Sequence, residues 1–170
     1  MIKTIVLLIT FLTGASVTQP KSQDLKVKNI AKNGMNVSWH FENERIIFEL
    51  EAPTDGWLTI GFNTSSEMKG SYLLMGRMVN GQAELVEHFT ISSGNYKSIE
   101  SLGGPVTVRD IEGIESENNT VVKFSVPIKP AGKYQRELSI GKEYRMTMAF
   151  SREDDFQHHS MMRTSVLITL

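Results

Sequence analysis

Apolar residues in this chain recur at every second position in short runs broken by turn residues, a period that fits strands and not helices. Met35-Asn36-Val37-Ser38-Trp39-His40-Phe41 alternates, Glu42-Asn43-Glu44 can turn, and Arg45-Ile46-Ile47-Phe48-Glu49-Leu50 returns, which is a hairpin pattern. Pro53-Thr54-Asp55-Gly56 forms a further turn and launches a strand from Trp57 to Phe62. Tyr72 to Val79 and Gln82 to Thr90 make a second hairpin about Asn80-Gly81, which tolerate the positive φ of a type I′ turn. Residues 92–104 are polar, Gly-rich and aperiodic, and predict a long surface loop. Further strands are expected over Val106 to Ile111, Thr120 to Ile128, Glu143 to Phe150 and Thr164 to Leu170, with Pro127 and Pro130 marking a strand end or edge. About nine short strands with frequent turns predict an all-β fold, an antiparallel β-sandwich of immunoglobulin-like two-sheet architecture.

The first residues read as an export signal. Lys3 gives a positive start, Ile5 to Leu12 an apolar core, and Gly14-Ala15-Ser16-Val17 the small residues of a cleavage site. This places a signal peptide over residues 1–19, a polar leader over 20–33 and one domain over 34–170, in a secreted or periplasmic protein. The early apolar run is too short for a membrane anchor, and no later stretch is long enough to span a bilayer. The absence of cysteine excludes disulfides, thiolate metal sites and covalently attached c-type haem. Lys and Arg number 18 against 19 Asp and Glu, with no basic block, so nucleic acid is not an expected partner.

Of four histidines, His40 and His88 fall inside predicted strands, where a lone histidine is ordinarily a surface or hydrogen-bonded residue. His158 and His159 stand together in the loop Asp155-Phe156-Gln157-His158-His159-Ser160-Met161-Met162-Arg163. Their spacing alone leaves open a ligand set or an exposed polar turn. Met75, Met78, Met146 and Met148 fall in strands and are expected as core fillers. Met68 instead lies in the polar loop Thr64-Ser65-Ser66-Glu67-Met68-Lys69-Gly70-Ser71, and its thioether is a soft, neutral donor suited to haem iron or Cu(I). Trp39 and Trp57 are expected in the core. Asp154 and Asp155 would point to opposite sides of an extended chain, which argues against a catalytic carboxylate pair. No nucleophile motif, phosphate loop or zinc-type H-E-x-x-H occurs, so no catalytic residue is assigned and an enzyme is not expected.

Gly56-Trp57-Leu58-Thr59-Ile60-Gly61-Phe62-Asn63 followed by Met68-Lys69-Gly70-Ser71 resembles the central motif of the DOMON domain. His159-Ser160-Met161-Met162-Arg163, before a final strand, is similar to that family's closing segment. The resemblance runs from Met35 to Leu170 and implies a sandwich whose loops at one end bind haem b or, in some branches, a sugar. In cytochrome-type DOMON domains a methionine and a histidine are the axial ligands. Met68 matches the first, and the His-Ser-x-x-Arg spacing points to His159 for the second. Strand parity instead favours His158, if Val166, Ile168 and Leu170 face inward. Tyr72 departs from the pattern, which often carries an acidic residue there.

The leading expectation is an exported haem b-binding module with Met68 and His159, or His158, on the iron, passing single electrons to a partner protein. Arg163 and Lys69 could pair with a haem propionate, and Trp57 lies in the motif beside the site. Two other readings stay open. A haem-free module could bind a carbohydrate or small ligand, with Trp57, Tyr72 or Tyr134 as stacking surfaces. A copper-binding protein could use His158, His159, Met161, Met162 and Met68 as a soft donor set.

Overall fold

The alternation is realised as two antiparallel sheets laid face to face. The computed structural model describes residues 26–63 and 65–170, so the signal-peptide reading over 1–19 lies outside the described residues. One sheet holds, in spatial order, β1 (Lys28–Lys32), β2 (Met35–Glu42), β3 (Arg45–Ala52), β9 (Asn119–Pro127) and β8 (Arg109–Ser116). The other is ordered β11 (Met162–Thr169), β10 (Glu143–Phe150), β4 (Leu58–Asn63), β5 (Tyr72–Val79), β6 (Gln82–Ser92) and β7 (Asn95–Ser98). The chain is the β-sandwich expected from its pattern. Asn80 and Gly81 hold φ of 51° and 77°, as the type I′ turn between β5 and β6 requires.

Every second residue of the strands faces the space between the sheets. Val37 and Trp39 of β2, Phe48 and Leu50 of β3, Ile60 and Phe62 of β4, Phe124 of β9 and Met146 and Met148 of β10 are buried there together. The Phe48 ring lies 5.7 Å from Phe62 of the opposite sheet and 5.8 Å from Phe124, its neighbour on the adjacent strand of its own sheet. Full burial of such a side chain contributes roughly 1.5–3 kcal/mol, so this interior dominates stability.

Three segments differ from their sequence expectation. The polar stretch expected as a leader over 20–33 contains β1. Its lysines lean across to the second sheet, Lys28 Nζ donating to the Thr169 carbonyl at 2.9 Å and Lys32 Nζ to the Ser165 carbonyl at 2.8 Å. Those bonds cover the free edge of β11, a role that alternating polarity does not advertise. The expected surface loop over 92–104 holds β7 and a short 3-10 turn, Glu100–Leu102, and buries Ile99 completely. The strand expected from Val106 to Ile111 is displaced to Arg109–Ser116. The reason is a side chain distant in sequence: the amides of Thr107 and Val108 are taken by the buried Glu87 carboxylate, at 2.5 and 3.2 Å, and cannot enter the ladder.

Candidate functional site

A sheet covered on one side alternates buried and exposed residues, but β4 is buried at all six positions and β5 at its first five. Their outward faces are covered too. Trp57, Leu73, Met75, Ala149 and Phe156 form a second apolar cluster there, separate from the interior. Met75, expected as a core filler, belongs to this outer cluster, whereas Met146 and Met148 are interior as expected.

The two glycines of the Gly56–Asn63 stretch are explained by this covering. A Cβ on Gly56 would lie 2.5 Å from the Arg152 carbonyl carbon and 2.6 Å from the Glu153 nitrogen, because the segment after β10 passes directly over it. A Cβ on Gly61 would collide with the end of Leu73, which needs that space on the outer face.

Two connections fold over the outer face from opposite ends of β4. The register sets Leu58 against Phe150 and Asn63 against Arg145. The 151–161 segment therefore leaves beside the start of β4 and the Met68 loop leaves from its end, about 17 Å apart at strand rise. The sequence reading placed both at one end of the sandwich; the structure places the site across the flank of the six-stranded sheet. Asn63 folds the Met68 loop: its Nδ2 donates to the carbonyls of Glu67 and Lys69, the latter at 3.1 Å, and to Ser71 Oγ at 3.1 Å. Gly70 N then donates to the Thr90 carbonyl at 2.8 Å, fastening the loop to β6. At the other end Trp57 N donates to the Glu153 carbonyl at 3.1 Å and Ser151 N to the Trp57 carbonyl at 2.9 Å. Ser151 Oγ donates to the His159 carbonyl at 3.1 Å.

Between the loops lies a shallow, open cleft with a cavity volume of about 120 Å³, below the roughly 300–1,000 Å³ of small-molecule sites, so a larger bound group would have to sit partly in its open mouth. Its floor is Trp57, Thr59, Leu73, Met75 and Ala149, and Met68, His158, His159 and Arg163 line it from the sides. Four separately chosen sequence candidates thus meet Trp57 in one place. Met68 is half-buried, while His158, His159 and Arg163 are exposed. Lys69 is exposed on the same loop but does not line the cleft.

Both histidines reach the cleft, so the parity argument does not separate them. It assumed a ligand on the inward face, yet Val166 and Ile168 face the interior while Arg163, of opposite parity, borders the cleft. The stacking surfaces expected of Tyr72 and Tyr134 are not there. Tyr72 is buried in the interior with its hydroxyl on Glu87 Oε1 at 2.5 Å, and Tyr134 packs on Phe89 with ring centroids 5.1 Å apart. Met162 packs against the interior and Met161 is exposed, which breaks up the larger copper donor set.

Two polar atoms in the cleft wall have no protein partner. Trp57 Nε1 and Thr90 Oγ1 are fully shielded and form no hydrogen bond, on residues 3% and 1% exposed. Such orphans cost stability unless a bound group satisfies them. Deeper on the same face, burial lowers the pKa of His88, so its imidazole stays neutral, and raises that of Tyr96, with Asp155 adding to the rise. Tyr96, Thr90, Leu73 and Met75 escaped the sequence reading as site residues. The signal was the near-continuous apolar run Tyr72-Leu73-Leu74-Met75, which marks a strand buried on both faces.

Among the described residues no three His, Asp or Glu side chains gather to hold a metal ion. The DOMON domain model matches residues 31–151, ending before the histidine pair. In structure, the chain is similar to the cytochrome b domain of pyranose dehydrogenase from Coprinopsis cinerea, at TM-score 0.60 and 11% identity over 83% of this chain and 80% of that one. It is equally similar to the cytochrome domain of cellobiose dehydrogenase from Myriococcum thermophilum, at TM-score 0.60 and 10% identity over 86% and 82%. At such low identity these likenesses concern the fold alone, but the family match covers most of the sandwich, and the chain belongs to the DOMON domain family.

Proposed function

We propose that this chain is a haem b-binding DOMON module that carries single electrons, with Met68 as one axial donor and His159, or its neighbour His158, as the other. The observation that carries the reading is the convergence of a thioether and an imidazole pair from loops 90 residues apart in sequence on one apolar-floored cleft. That the two structural neighbours named above are cytochrome domains supports it. So does the donor chemistry. Among the described residues no three His, Asp or Glu donors of the kind a zinc-type ion takes are gathered, whereas a porphyrin brings its own nitrogens and needs only two protein ligands.

The chain's residues would divide the work. Trp57, Leu73, Met75 and Ala149 give an apolar bed for a planar ring and exclude water from it. Met68 and one of the two histidines, on loops from opposite ends of β4, would hold the iron between them. Arg163, which lines the cleft and has no ion pair among the described residues, would pair with a propionate. Bound there, haem b would supply a one-electron iron couple, with thioether ligation favouring the reduced form. The module would then act beside a redox partner protein, outside the cytoplasm, as the export-type N-terminus suggests.

The test is an absorption spectrum of the chain with added haem b, oxidised and then reduced. A sharp Soret band with resolved α and β bands on reduction is expected, and Met68→Ala should abolish the six-coordinate spectrum. Absence of haem uptake overturns the reading; an unchanged spectrum in Met68→Ala removes Met68 as ligand.

A further inference from the structure

The segment that bears both histidines has little packing of its own. From Arg152 to Met161 Phe156 is the one buried residue, and the others are exposed apart from the half-buried Ser160. Side chains from three strands hold that residue, two by its ring and one by its carbonyl. His88 of β6 meets it nearly edge-on, with ring centroids 5.6 Å apart, and the Arg77 guanidinium of β5 lies 4.5 Å from its centre. Tyr96 of β7 donates its hydroxyl to the Phe156 carbonyl oxygen.

The holders are themselves braced. Arg77 pairs with Glu84 at 2.7 Å and also donates to the Asp154 carbonyl at 2.7 Å. His88 meets the Tyr96 ring at 5.3 Å and its Nδ1 lies 3.2 Å from the Val86 carbonyl. None of these groups belongs to the Met68 loop, which depends on Asn63 and on its bond to Thr90. The two walls of the cleft are therefore built separately, one by a backbone-directed carboxamide and the other by a clamped aromatic ring.

We infer that Phe156, clamped by His88, Arg77 and Tyr96, is the positioning residue for the histidine wall, so that this wall can be loosened while the methionine wall stays in place. Phe156 lies two and three residues before the histidines, and the turn closed by His158 N on the Asp155 carbonyl at 2.9 Å carries its position directly to them. Aromatic packing and cation–π contact both act on the ring, and alanine removes both at once. The role of the histidines as ligands rests on the haem reading above; the clamp itself does not.

The test uses the full-length chain with Phe156→Ala and Phe156→Leu and has two readouts. Without haem, amide hydrogen exchange at His158 and Met161 should speed up by about tenfold or more in Phe156→Ala, with Gly70 and Ser71 unchanged. With haem b, the low-spin spectrum should give way to a high-spin one and return on adding imidazole; Phe156→Leu, which keeps an apolar side chain in the clamp, should retain the low-spin form. Equal acceleration on both walls in both variants, no acceleration at all, or a wild-type spectrum in Phe156→Ala each overturns the inference. If the unmodified chain takes up no haem but the exchange asymmetry is present, the haem reading fails and the clamp stands.

Discussion

Replacing Gly56 by alanine tests whether the covered outer face is as closely built as the structure shows. Gly56 does not have positive φ, so alanine can adopt its backbone conformation and the cost is steric alone. The new Cβ would sit 2.5 Å from the Arg152 carbonyl carbon, 2.6 Å from Glu153 N and 2.7 Å from Glu153 O. These are backbone atoms and cannot swing aside, so the 152–153 segment must lift. Overpacking of this kind costs about 1–3 kcal/mol. Lifting also breaks or lengthens the Trp57 N bond to Glu153 and the Ser151 N bond to Trp57, each a net contribution of about 1 kcal/mol. The total is about 3–5 kcal/mol, or roughly 6–20 °C in Tm for a domain of this size. Gly61→Ala is the internal comparison: its Cβ meets the flexible end of Leu73, which can rotate, and its cost should be about 1 kcal/mol. Urea unfolding followed by tryptophan fluorescence measures both through the midpoint at constant slope. A Gly56→Ala variant within about 0.5 kcal/mol of wild type, or less affected than Gly61→Ala, would refute the close approach.

The buried, neutral His88 has its pKa lowered by desolvation, so the unfolded chain takes up a proton that the folded chain resists. Stability should therefore fall as pH drops below about 6.5, and His88→Leu should remove that component, read as the difference in urea midpoints between the two proteins at neutral and mildly acidic pH. Thr90→Val deletes a buried hydroxyl with no partner at nearly constant shape, and should stabilise the ligand-free chain by about 1 kcal/mol; a loss of stability would show that the hydroxyl is satisfied. Tyr72→Phe removes the hydroxyl bond to Glu87 and should cost about 1.5–3 kcal/mol, with coupling of about 1–2 kcal/mol to Glu87→Gln in a double-mutant cycle. Burial first, and then the Glu87 charge, raise the Tyr72 pKa, so wild-type stability should also decline as pH rises past about 10, and this decline should be smaller in Tyr72→Phe.

Period-two patterning was sufficient to read β2, β3, β5, β6, β9 and β10, because a strand with one face inward writes its burial into the sequence. It was insufficient where a remote group decides. Glu87 captures the amides of Thr107 and Val108 from 20 residues away and moves the start of β8, and nothing local in Val106 to Ile111 records this. β1 is legible only through its two lysines, whose partners lie on the far edge of the other sheet. The site followed the same division. Met68 and the histidine pair stood out because soft or titratable donors were set in polar loops. The position of the cleft did not, since that depends on the β4 to β10 register and on which sheet face the 151–161 segment folds across. Tyr72, which stands where an acidic residue was expected, keeps its connection to a carboxylate by reaching Glu87 on the next strand.

The residues that carry the family resemblance fall into two groups, and the division bears on function. Gly56, Gly61 and Asn63 are accounted for by the fold alone: the first two leave space for a neighbouring segment or side chain, and the third braces a loop. Their presence therefore argues for the sandwich and says little of what it holds. His158, His159 and Arg163 are different. Among the described residues their side chains make no hydrogen bond or ion pair, and all three are exposed, so the fold gains little from their identity. Met68 sits half-buried in a loop that Asn63 would shape equally well around a polar residue. What these four share is a single cleft with a largely apolar floor. Side chains with no structural duty, gathered from distant parts of the chain onto one surface, are better explained by something that binds between them than by the packing around them.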